Sequence, residues 1–564
     1  MARLTVSYDK GNSDLPLIEQ TIGDFFETIV ARVPDQDALI SRHQNVRLSY
    51  RQLNQQANQL ASALLRSGVT PGDRIGIWSH NNREWLLTQL ATAKAGIILV
   101  NINPAYRVSE LEYSLNKVGC RLLITMTQFK TSDYLGMLRE VAPELQTAEP
   151  GALRAIRVPD LRTVVHLGDA VVPGALSFAE LMARGDASDA ALARIAPTLR
   201  ATDPINIQFT SGTTGFPKGA TLTHRNVLNN GFFIGEAMRL TAADRLCIPV
   251  PLYHCFGMVL GNLACLTHGS AIIYPNDGFE PVSVLEAVQE ERCTGLHGVP
   301  TMFIAELSHP RFAEFDLSTL RTGIMAGSPC PIEVMKRVVS DMHMSEVTIA
   351  YGMTETSPVS CQSTTDTPLE KRVSTVGKVL PHLEVKVIDP ETQETLPVGE
   401  TGELCTRGYS VMHGYWGEAD KTREAIDTEQ WMHTGDLAVM DEEGYVNIVG
   451  RIKDMVIRGG ENVYPREIEE FLYGHPAVED VQVVGVPDER FGEELCAWVI
   501  LKKQQQLTDE ALREYCRGKI AHYKIPRHVR FVEAFPMTIT GKIMKYKIRE
   551  IMRDELGEVE QKTA

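Results

Sequence analysis

The sequence lacks several features that would assign it to a specialised class of protein. Its ten cysteines include no C-x-x-C pair, so neither a zinc site nor a disulfide framework is indicated, and dispersed thiols favour a reducing compartment. No apolar run reaches the roughly 18 residues of a membrane-spanning helix, and the first twenty residues lack the apolar stretch of a signal peptide. We therefore expect a cytoplasmic protein without an integral membrane segment; peripheral membrane contact stays open.

Basic residues are in the minority, because 56 Lys and Arg stand against 72 Asp and Glu, giving a formal net charge of −16. A nucleic-acid-binding protein needs a dominant basic face, so we expect no nucleic-acid partner. Apolar residues make up 43% of the chain and charged residues 23%, which is typical of globular proteins and excludes a disordered chain, a collagen and a coiled coil. A length of 564 residues predicts at least two domains.

The first half of the chain alternates predicted helices and strands. Ser49 and Gln52 match a capping box at the start of a helix. Residues 72–103 then read as a strand, a helix and a buried strand. This order is typical of a βαβ unit in a largely parallel sheet that is covered by helices. Similar alternation continues to about residue 345, so we predict an α/β fold.

The second half of the chain has a different pattern. From about residue 376, short strand-like runs with Gly and Pro turns predict a mostly β region. The end of the chain mixes strand-like runs with helical ones, of which 509–526 is the longest. We therefore predict an N-terminal domain at 1–453, with its β-rich part at about 376–453, and a small α+β domain at 454–564.

The strongest local signal for function is the run TSGTTGFPKGA at 210–220. Its glycines let backbone N–H groups turn toward an anion, its hydroxyls add donors, and Lys218 adds positive charge. The run therefore predicts a phosphate site. It is not a Walker A loop, because only two residues separate Gly215 from Lys218. The alternative interpretation is a flexible surface loop.

Two later motifs also carry groups suited to a nucleotide. In AYGMTETSP, Glu355 stands between hydroxyl residues, a set that suits Mg²⁺, and Tyr351 can stack on a base. In WMHTGDLA, Asp436 can accept two hydrogen bonds from a ribose diol, and Arg451 follows fifteen residues later. Taken singly, these residues also fit a polar turn, an Asp turn and a surface arginine.

The last motif, PMTITGKIMKYKIRE, places Lys542 after Thr-Gly near the end of the chain. Residues 511–553 hold eleven Lys and Arg against three acidic residues. This basic segment on an acidic chain is a candidate contact for a polyanion. The alternative is a solvated basic helix.

In this order the motifs resemble those of the adenylate-forming superfamily of acyl-CoA synthetases, luciferases and peptide-synthetase adenylation domains. The resemblance runs from about residue 20 to 550. Within the superfamily the sequence is most similar to medium-chain fatty-acyl-CoA synthetases of the acyl-CoA synthetase family member 2 type, on the runs PLYHCFG, GSPCPIE, GYWGEADKT and IRGGENVYPREIEE. The resemblance implies a large domain made of α/β-sheet subdomains and a small β-barrel-like subdomain. A mobile α+β domain follows it.

The resemblance also implies a reaction in two steps. A carboxylate would attack the α-phosphate of ATP to give acyl-AMP and pyrophosphate. The expected carboxylate is that of a medium-chain or longer fatty acid. Coenzyme A would then displace AMP to give acyl-CoA. The implied cofactor is Mg²⁺, and the implied partners are the small molecules fatty acid, ATP and coenzyme A. A homodimer stays open.

Site residues carry over from the family position by position. The implied ATP- and AMP-binding residues are Thr210, Ser211, Gly212, Thr213, Thr214, Gly215, Lys218, Gly327, Ser328, Pro329, Tyr351, Gly352, Thr354, Asp436, Arg451 and Lys542. The implied catalytic residues are Lys542, Glu355, Thr354 and His254, with Glu355 and Thr210 at the metal. The implied coenzyme A residues are Arg458, Gly459 and Gly460, and the implied hinge between the domains is Asp454.

The implied acyl pocket contains His254, Val299, Phe303, Gly327 and Gly352. No Asp or Glu occurs at 247–275, which disfavours an amino acid, because amino-acid-activating relatives keep an acid there for the substrate ammonium. Gly352 stands where acetate-specific relatives carry a bulky Trp, which implies a deep pocket for an apolar chain. Val299 and Phe303 fit a protein core equally well, and His254 fits a core histidine.

Three alternative functions can be weighed on the sequence. An aryl or other carboxylic acid–CoA ligase would share every nucleotide motif. A stand-alone adenylation enzyme that charges a carrier protein would share them too. An inactive sensor built on the same fold is expected to lack Lys542, Glu355 or Asp436, and all three are present.

Overall fold

The computed structural model describes residues 3–210, 217–328, 330–458, 461–488, 490–517, 519–538 and 543–556. Within them, two large mixed sheets and one smaller antiparallel sheet precede a separate C-terminal sheet. Helices cover the two large sheets and the C-terminal sheet. The predicted α/β class is confirmed.

The predicted βαβ unit is present. The capping box at Ser49 begins the helix Tyr50–Arg66. The strand Arg74–Trp78, the helix Arg83–Ala95 and the strand Ile98–Asn101 follow. The two strands pair in parallel, as a helical crossover between adjacent strands requires.

The first large sheet has eight strands, which occur in the order Leu176–Ser177, Thr163–Leu167, Cys120–Met126, Arg74–Trp78, Ile98–Asn101, Pro204–Thr210, Lys218–Thr223 and Gly414–Tyr415. The second has nine, in the order Lys378–Val379, Val359–Gln362, Glu346–Gly352, Thr322–Ala326, Gly295–Leu296, Arg245–Cys247, Ala271–Tyr274, Asp37–Ser41 and Val46–Ser49. A two-residue hairpin joins Gln128–Phe129 to Ser132–Asp133.

Five strands form the small antiparallel sheet: Tyr8–Lys10, Leu383–Ile388, Thr401–Gly408, Met432–Met440 and Val446–Arg451. Four of them come from the stretch predicted to be β-rich. The fifth comes from the beginning of the chain, which carried no strand prediction. The C-terminal sheet contains Glu461–Val463, Val456–Arg458, Gly492–Leu501 and Val478–Asp488, with His528–Phe531 beside Gly492–Leu501.

The helices are Ile22–Arg32, Tyr50–Arg66, Arg83–Ala95, Val108–Val118, Tyr134–Val141, Phe178–Ala183, Ala190–Ile195, His224–Ala237, Ala264–His268, Pro281–Glu290, Pro300–Leu307, Ile332–Asp341, Leu369–Ser374, Ala419–Ala425, Pro465–Tyr473, Asp509–Cys516 and Lys545–Leu556. Phe256–Leu263 is a π-helix, and short 3₁₀ helices occur at Pro143–Gln146, Ala196–Thr198, Phe312–Glu314, Thr354–Thr356, Ile452–Asp454 and His522–Lys524.

The helix predicted at 509–526 was too long. It ends at Cys516, because Arg517 takes an extended conformation with ψ 132°, and a separate turn follows at His522–Lys524. Glycine at 518 in the sequence is a poor helix former and favours this break.

The largest hydrophobic cluster lies between the two large sheets. It joins Ile75 and Leu99 of the first sheet to Leu39 and Ile272 of the second, with side chains of the helix Arg83–Ala95 between them. This explains why that helix is buried on almost every face. The C-terminal sheet has a core of its own. All ten cysteines are buried and unpaired, and within the described ranges no helix has the length and apolarity to cross a bilayer.

Candidate active site

The run predicted to bind phosphate joins two strands of the first sheet. Thr210 ends one strand and Lys218 begins the next, and the two residues pair across the antiparallel ladder. Nine predicted residues lie outside the described part of the chain, and their roles stay predictions: Ser211, Gly212, Thr213, Thr214, Gly215, Pro329, Gly459, Gly460 and Lys542. The hairpin therefore fixes both ends of the predicted loop.

Glu355 is placed against that hairpin by the 3₁₀ helix Thr354–Thr356. Its carboxylate is buried, and Oε1 accepts hydrogen bonds from Thr210 Oγ1 at 3.3 Å and from Tyr415 Oη at 2.8 Å. A carboxylate beside a hydroxyl offers the oxygen ligands that Mg²⁺ prefers. The two residues predicted at the metal therefore lie together, and their donor set fits that cation.

Asp436, Arg451 and Tyr351 form a second polar group. Oδ1 of Asp436 accepts a hydrogen bond from Arg451 Nε at 2.9 Å, and Oδ2 accepts one from Tyr351 Oη at 2.6 Å. Asp436 and Arg451 face each other because they are paired residues of adjacent antiparallel strands. The Asp436 carboxylate raises the pKa of Arg451, and burial raises the pKa of Tyr351 well above its usual value. The Asp436 carboxylate and the Arg451 guanidinium group therefore lie close to the side chain of Tyr351.

Gly327 lies at the same sheet edge as Tyr351. The strands Thr322–Ala326 and Glu346–Gly352 run in parallel with Ala326 opposite Ala350, so the residues after them emerge side by side. Gly327 has φ 93°, a conformation that favours glycine. Ligands of open α/β sheets bind at the carboxyl ends of such strands.

An ion pair between the partly exposed His433 and the buried Glu403 supports the turn that carries Asp436. His433 Nδ1 donates a hydrogen bond to Oε2 of Glu403 at 3.0 Å, and the backbone N–H of Gly435 donates to Oε1 at 3.0 Å. The Glu403 carboxylate raises the pKa of His433. Among the described residues, Glu403, Cys405 and His433 are also the one His/Cys/acid group whose ligand atoms lie within 4.8 Å of one another. Their contacts tie the strand Thr401–Gly408 to the start of the strand Met432–Met440.

On the predicted acyl side, buried polar side chains link the first sheet to the segment that carries His254. Gln208 accepts a hydrogen bond from the Cys255 thiol at 3.0 Å and donates to Asn206 at 2.9 Å. Asn206 donates to Asn101 at 3.0 Å, which donates in turn to the carbonyl of Tyr253 at 3.0 Å. The segment is therefore fixed on both sides of His254.

His254 itself is exposed, and its Nδ1 accepts a hydrogen bond from the N–H of Phe256 at 3.2 Å. The exposed ring is not the core histidine considered as the alternative. Thr354 lies beside the buried Cys255 thiol, whose pKa burial raises to about 12. Thr354 thus connects the acyl side to Glu355.

The other predicted acyl residues differ in position. Val299 is buried and lies against Gly327, where its Cγ1 would be 3.1 Å from an added Cβ. Phe303 is fully buried in a hydrophobic cluster and packs on Gly298. A Cβ on Gly352 would lie 1.7 Å from the carbonyl oxygen of Pro358. Glycine at 352 is therefore required by the backbone, whatever its effect on the pocket.

The predicted hinge and coenzyme A residues both form ion pairs. Asp454 accepts a hydrogen bond from Arg549 of the last described helix. Arg458 makes two hydrogen bonds to the buried Glu494, at 2.6 and 2.8 Å. The Glu494 carboxylate raises the pKa of Arg458. Their roles in domain rotation and coenzyme A binding stay predictions.

Tyr415 is the main site residue that the sequence analysis missed. The run GYWGEADKT that contains it carries part of the family resemblance but indicates no function for the tyrosine. A tyrosine has no chemical signature of phosphate or metal binding, and its partner Glu355 lies 60 residues away. Only the pairing of Gly414–Tyr415 with the Lys218 strand brings the two together.

The sequence matches two family models, "AMP-binding enzyme" at residues 26–416 and "AMP-binding enzyme C-terminal domain" at 467–542. It is 52% identical to "Putative acyl-CoA synthetase YngI" of Bacillus subtilis (strain 168), over 95% of this chain and 97% of that protein. It is 48% identical to the mitochondrial medium-chain acyl-CoA ligase ACSF2 of Bos taurus, over 98% and 90%.

Solved structures give the same result for the fold. The anthranilate CoA ligase AuaEII in complex with anthranoyl-AMP superposes with a TM-score of 0.84 and 27% identity, over 96% of this chain and 98% of that one. Together these matches confirm the resemblance drawn from the ordered motifs and the expected ligase reaction. The chain belongs to the AMP-binding enzyme family, as an AMP-forming acyl-CoA synthetase.

Proposed function

We propose that this acyl-CoA synthetase activates medium-chain fatty acids. For the activation chemistry, the observation that carries the proposal is the hydrogen bond between Thr210 and Glu355, which lies four residues after Tyr351, the hydrogen-bond partner of Asp436. This proximity supports a single site for the predicted phosphate, metal and ribose residues. The ACSF2 relatives, named as medium-chain acyl-CoA ligases, support the choice of acid.

In the proposed site, Asp436 and Arg451 hold the ribose hydroxyls, and Tyr351 and Gly327 lie along the adenine. Thr210 and Lys218 contact the phosphates, and Lys542 approaches the developing charge on the carboxylate and the α-phosphate. Glu355 and Thr210 hold Mg²⁺, which supplies positive charge against the phosphates when bound. A preorganised positive group is the main source of rate in such chemistry, since charge builds up in the transition state.

The acyl chain would lie beyond His254, along the π-helix Phe256–Leu263. That helix is buried and, apart from Asn262, apolar, and π-helical turns occur often at functional sites. Val299 at the Gly327 edge would add an apolar wall. An uncharged lining supports a hydrocarbon substrate, because each buried CH₂ contributes about 0.8 kcal/mol.

The test is acid-dependent ATP–pyrophosphate exchange with saturated acids from C2 to C12, followed by consumption of coenzyme A. We expect kcat/KM to rise stepwise with each methylene and to reach its maximum at a medium chain length. A flat response from C2 to C12 would contradict the proposed pocket.

The same assay separates the alternatives. Exchange with benzoate or anthranilate above that with octanoate would indicate an aryl acid–CoA ligase. Exchange without consumption of coenzyme A would indicate carrier charging. No exchange with any acid would overturn the assignment of the site.

A further inference from the structure

Tyr415 touches two of the described residues that face the proposed phosphate and metal positions, Glu355 and Lys218. Its hydroxyl donates a hydrogen bond to Oε1 of Glu355 at 2.8 Å. Its ring lies under the Lys218 ammonium, with Nζ 4.1 Å from the ring centroid. The two contacts use different parts of one side chain, so they can be removed separately.

The backbone around Tyr415 is fixed on three sides. Tyr415 pairs with Ala220 of the Lys218 strand, and its N–H donates to Thr422 Oγ1 at 2.9 Å. The N–H of Met412 donates to the carbonyl of Glu355 at 2.8 Å. Tyr415 is 6% exposed. Its side chain therefore has little freedom to leave either contact.

The hydrogen bonds to Glu355 orient its carboxylate. Both of them reach Oε1, and Oε2 accepts none from the residues that the structure describes.

Resting on the proposed function, we propose that Tyr415 is a positioning residue for the metal–nucleotide complex. Its hydroxyl holds the Glu355 carboxylate with Oε2 available for the cation. Its ring holds the Lys218 ammonium at the base of the phosphate loop. Loss of the hydroxyl should therefore weaken the metal-dependent part of ATP binding, and loss of the ring should weaken the metal-independent part.

The test is calorimetric titration of the full chain with ATP, once with Mg²⁺ and once with EDTA. In Tyr415→Phe, we expect the gain in ATP affinity on adding Mg²⁺ to shrink roughly tenfold, with metal-free affinity unchanged. In Tyr415→Leu, metal-free affinity should also fall several-fold. Tyr409→Phe is the matched control, because Tyr409 is a buried tyrosine whose hydroxyl accepts a hydrogen bond from Asn230; it should bind as the wild type does.

An unchanged Mg²⁺ gain in Tyr415→Phe would overturn the inference, and so would an equal loss with and without the metal. The variant Glu355→Gln provides a second measurement. If Tyr415 acts through Glu355, adding Tyr415→Phe to Glu355→Gln should cause no further loss of the Mg²⁺ gain, whereas additive losses would contradict it. Thermal unfolding of each variant checks the fold.

The two proposals fail in different ways. Wild-type protein that binds Mg·ATP but supports no pyrophosphate exchange with any fatty acid would contradict the proposed substrate alone. Normal exchange in the wild type together with wild-type Mg²⁺ dependence in Tyr415→Phe would contradict the positioning role alone.

Discussion

Glu306 is a buried carboxyl group that makes no side-chain hydrogen bond to the described residues. It lies on the helix Pro300–Leu307, is 1% exposed, and neither carboxylate oxygen has a hydrogen-bond partner among the described residues. Burial raises its pKa well above the usual 4.5. The folded protein therefore keeps this group neutral at pH values at which the unfolded chain ionises it.

This difference makes stability depend on pH. Because the folded state binds the proton of Glu306 more tightly, the contribution of this group to stability is most favourable below about pH 4.5 and decreases as pH rises. We predict that the unfolding midpoint of the wild type decreases relative to that of Glu306→Gln between pH 5 and pH 8. Glu306→Met, which also removes the unpaired oxygens, should unfold about 2–4 °C higher at pH 7. Parallel pH profiles of the wild type and the Gln variant in thermal unfolding would contradict this.

Lys542 allows a prediction about the two half-reactions. In the role implied by the family, it acts on adenylate formation only. Lys542→Ala should reduce pyrophosphate exchange about 10²–10³-fold and leave thioester formation from supplied acyl-AMP nearly unchanged. Lys547→Ala, at an exposed position of the following helix, is the control. An equal loss in both half-reactions would contradict the role.

At the scale of elements, the strand Met432–Met440 depends on an ion pair at its start. Glu403 holds both His433 and the backbone of Gly435. The folded protein raises the pKa of His433, so the pair stabilises the fold fully below about pH 6.5 and loses its effect as pH rises through the folded pKa.

We predict that Glu403→Gln lowers the unfolding midpoint more at pH 6 than at pH 9. The reason is that the amide keeps the contact with Gly435 but cannot hold a charged His433. The expected loss at pH 6 is about 1 kcal/mol, and thermal unfolding at the two pH values measures it. Glu400→Gln, at an exposed neighbouring position, should show no such difference. The same loss at both pH values would refute the charge-based account.

Elements with local signals could be predicted from the sequence, whereas distant pairings could not. The helix Tyr50–Arg66 begins at its capping box, because a cap is encoded within four residues. The strand Tyr8–Lys10 was missed, because its partner Leu383–Ile388 lies more than 370 residues away and three residues carry too little pattern.

The site shows the same division. The sequence indicated Asp436 and Arg451 as nucleotide ligands, but their mutual hydrogen bond follows from strand register. Glu355 was predicted from its chemistry, whereas Tyr415 became visible only through a third segment that pairs with the Lys218 strand. Chemically distinctive residues are readable in sequence; the neutral side chains that orient them are not.

For the whole molecule, the central question is rotation of the C-terminal domain about Asp454. In the structure, the two sides of the predicted boundary are joined by the Asp454–Arg549 ion pair and by a hydrogen bond from Arg466 to the carbonyl of Ile448 at 2.6 Å. These contacts stabilise one orientation of the C-terminal domain, and a hinge at Asp454 would have to allow a second orientation.

Asp454→Pro should separate the half-reactions, because proline fixes φ near −65° and restricts the backbone at the hinge. We expect thioester formation to fall about tenfold more than pyrophosphate exchange. Arg549→Gln removes the same ion pair but leaves the backbone free, so it should lower the two rates to similar extents. Assays of each half-reaction decide between these outcomes, and a proportionate loss in Asp454→Pro would argue against a hinge at this position.

The burial of every native thiol makes this motion open to direct observation. Since all ten cysteines lie inside the protein, maleimide dyes would react with cysteines newly introduced at the surface. Val171, 97% exposed, and the exposed Lys503 lie on opposite sides of the predicted boundary. Replacing both with cysteine would give a donor–acceptor pair whose energy transfer follows single molecules through turnover, with the wild-type cysteines left in place.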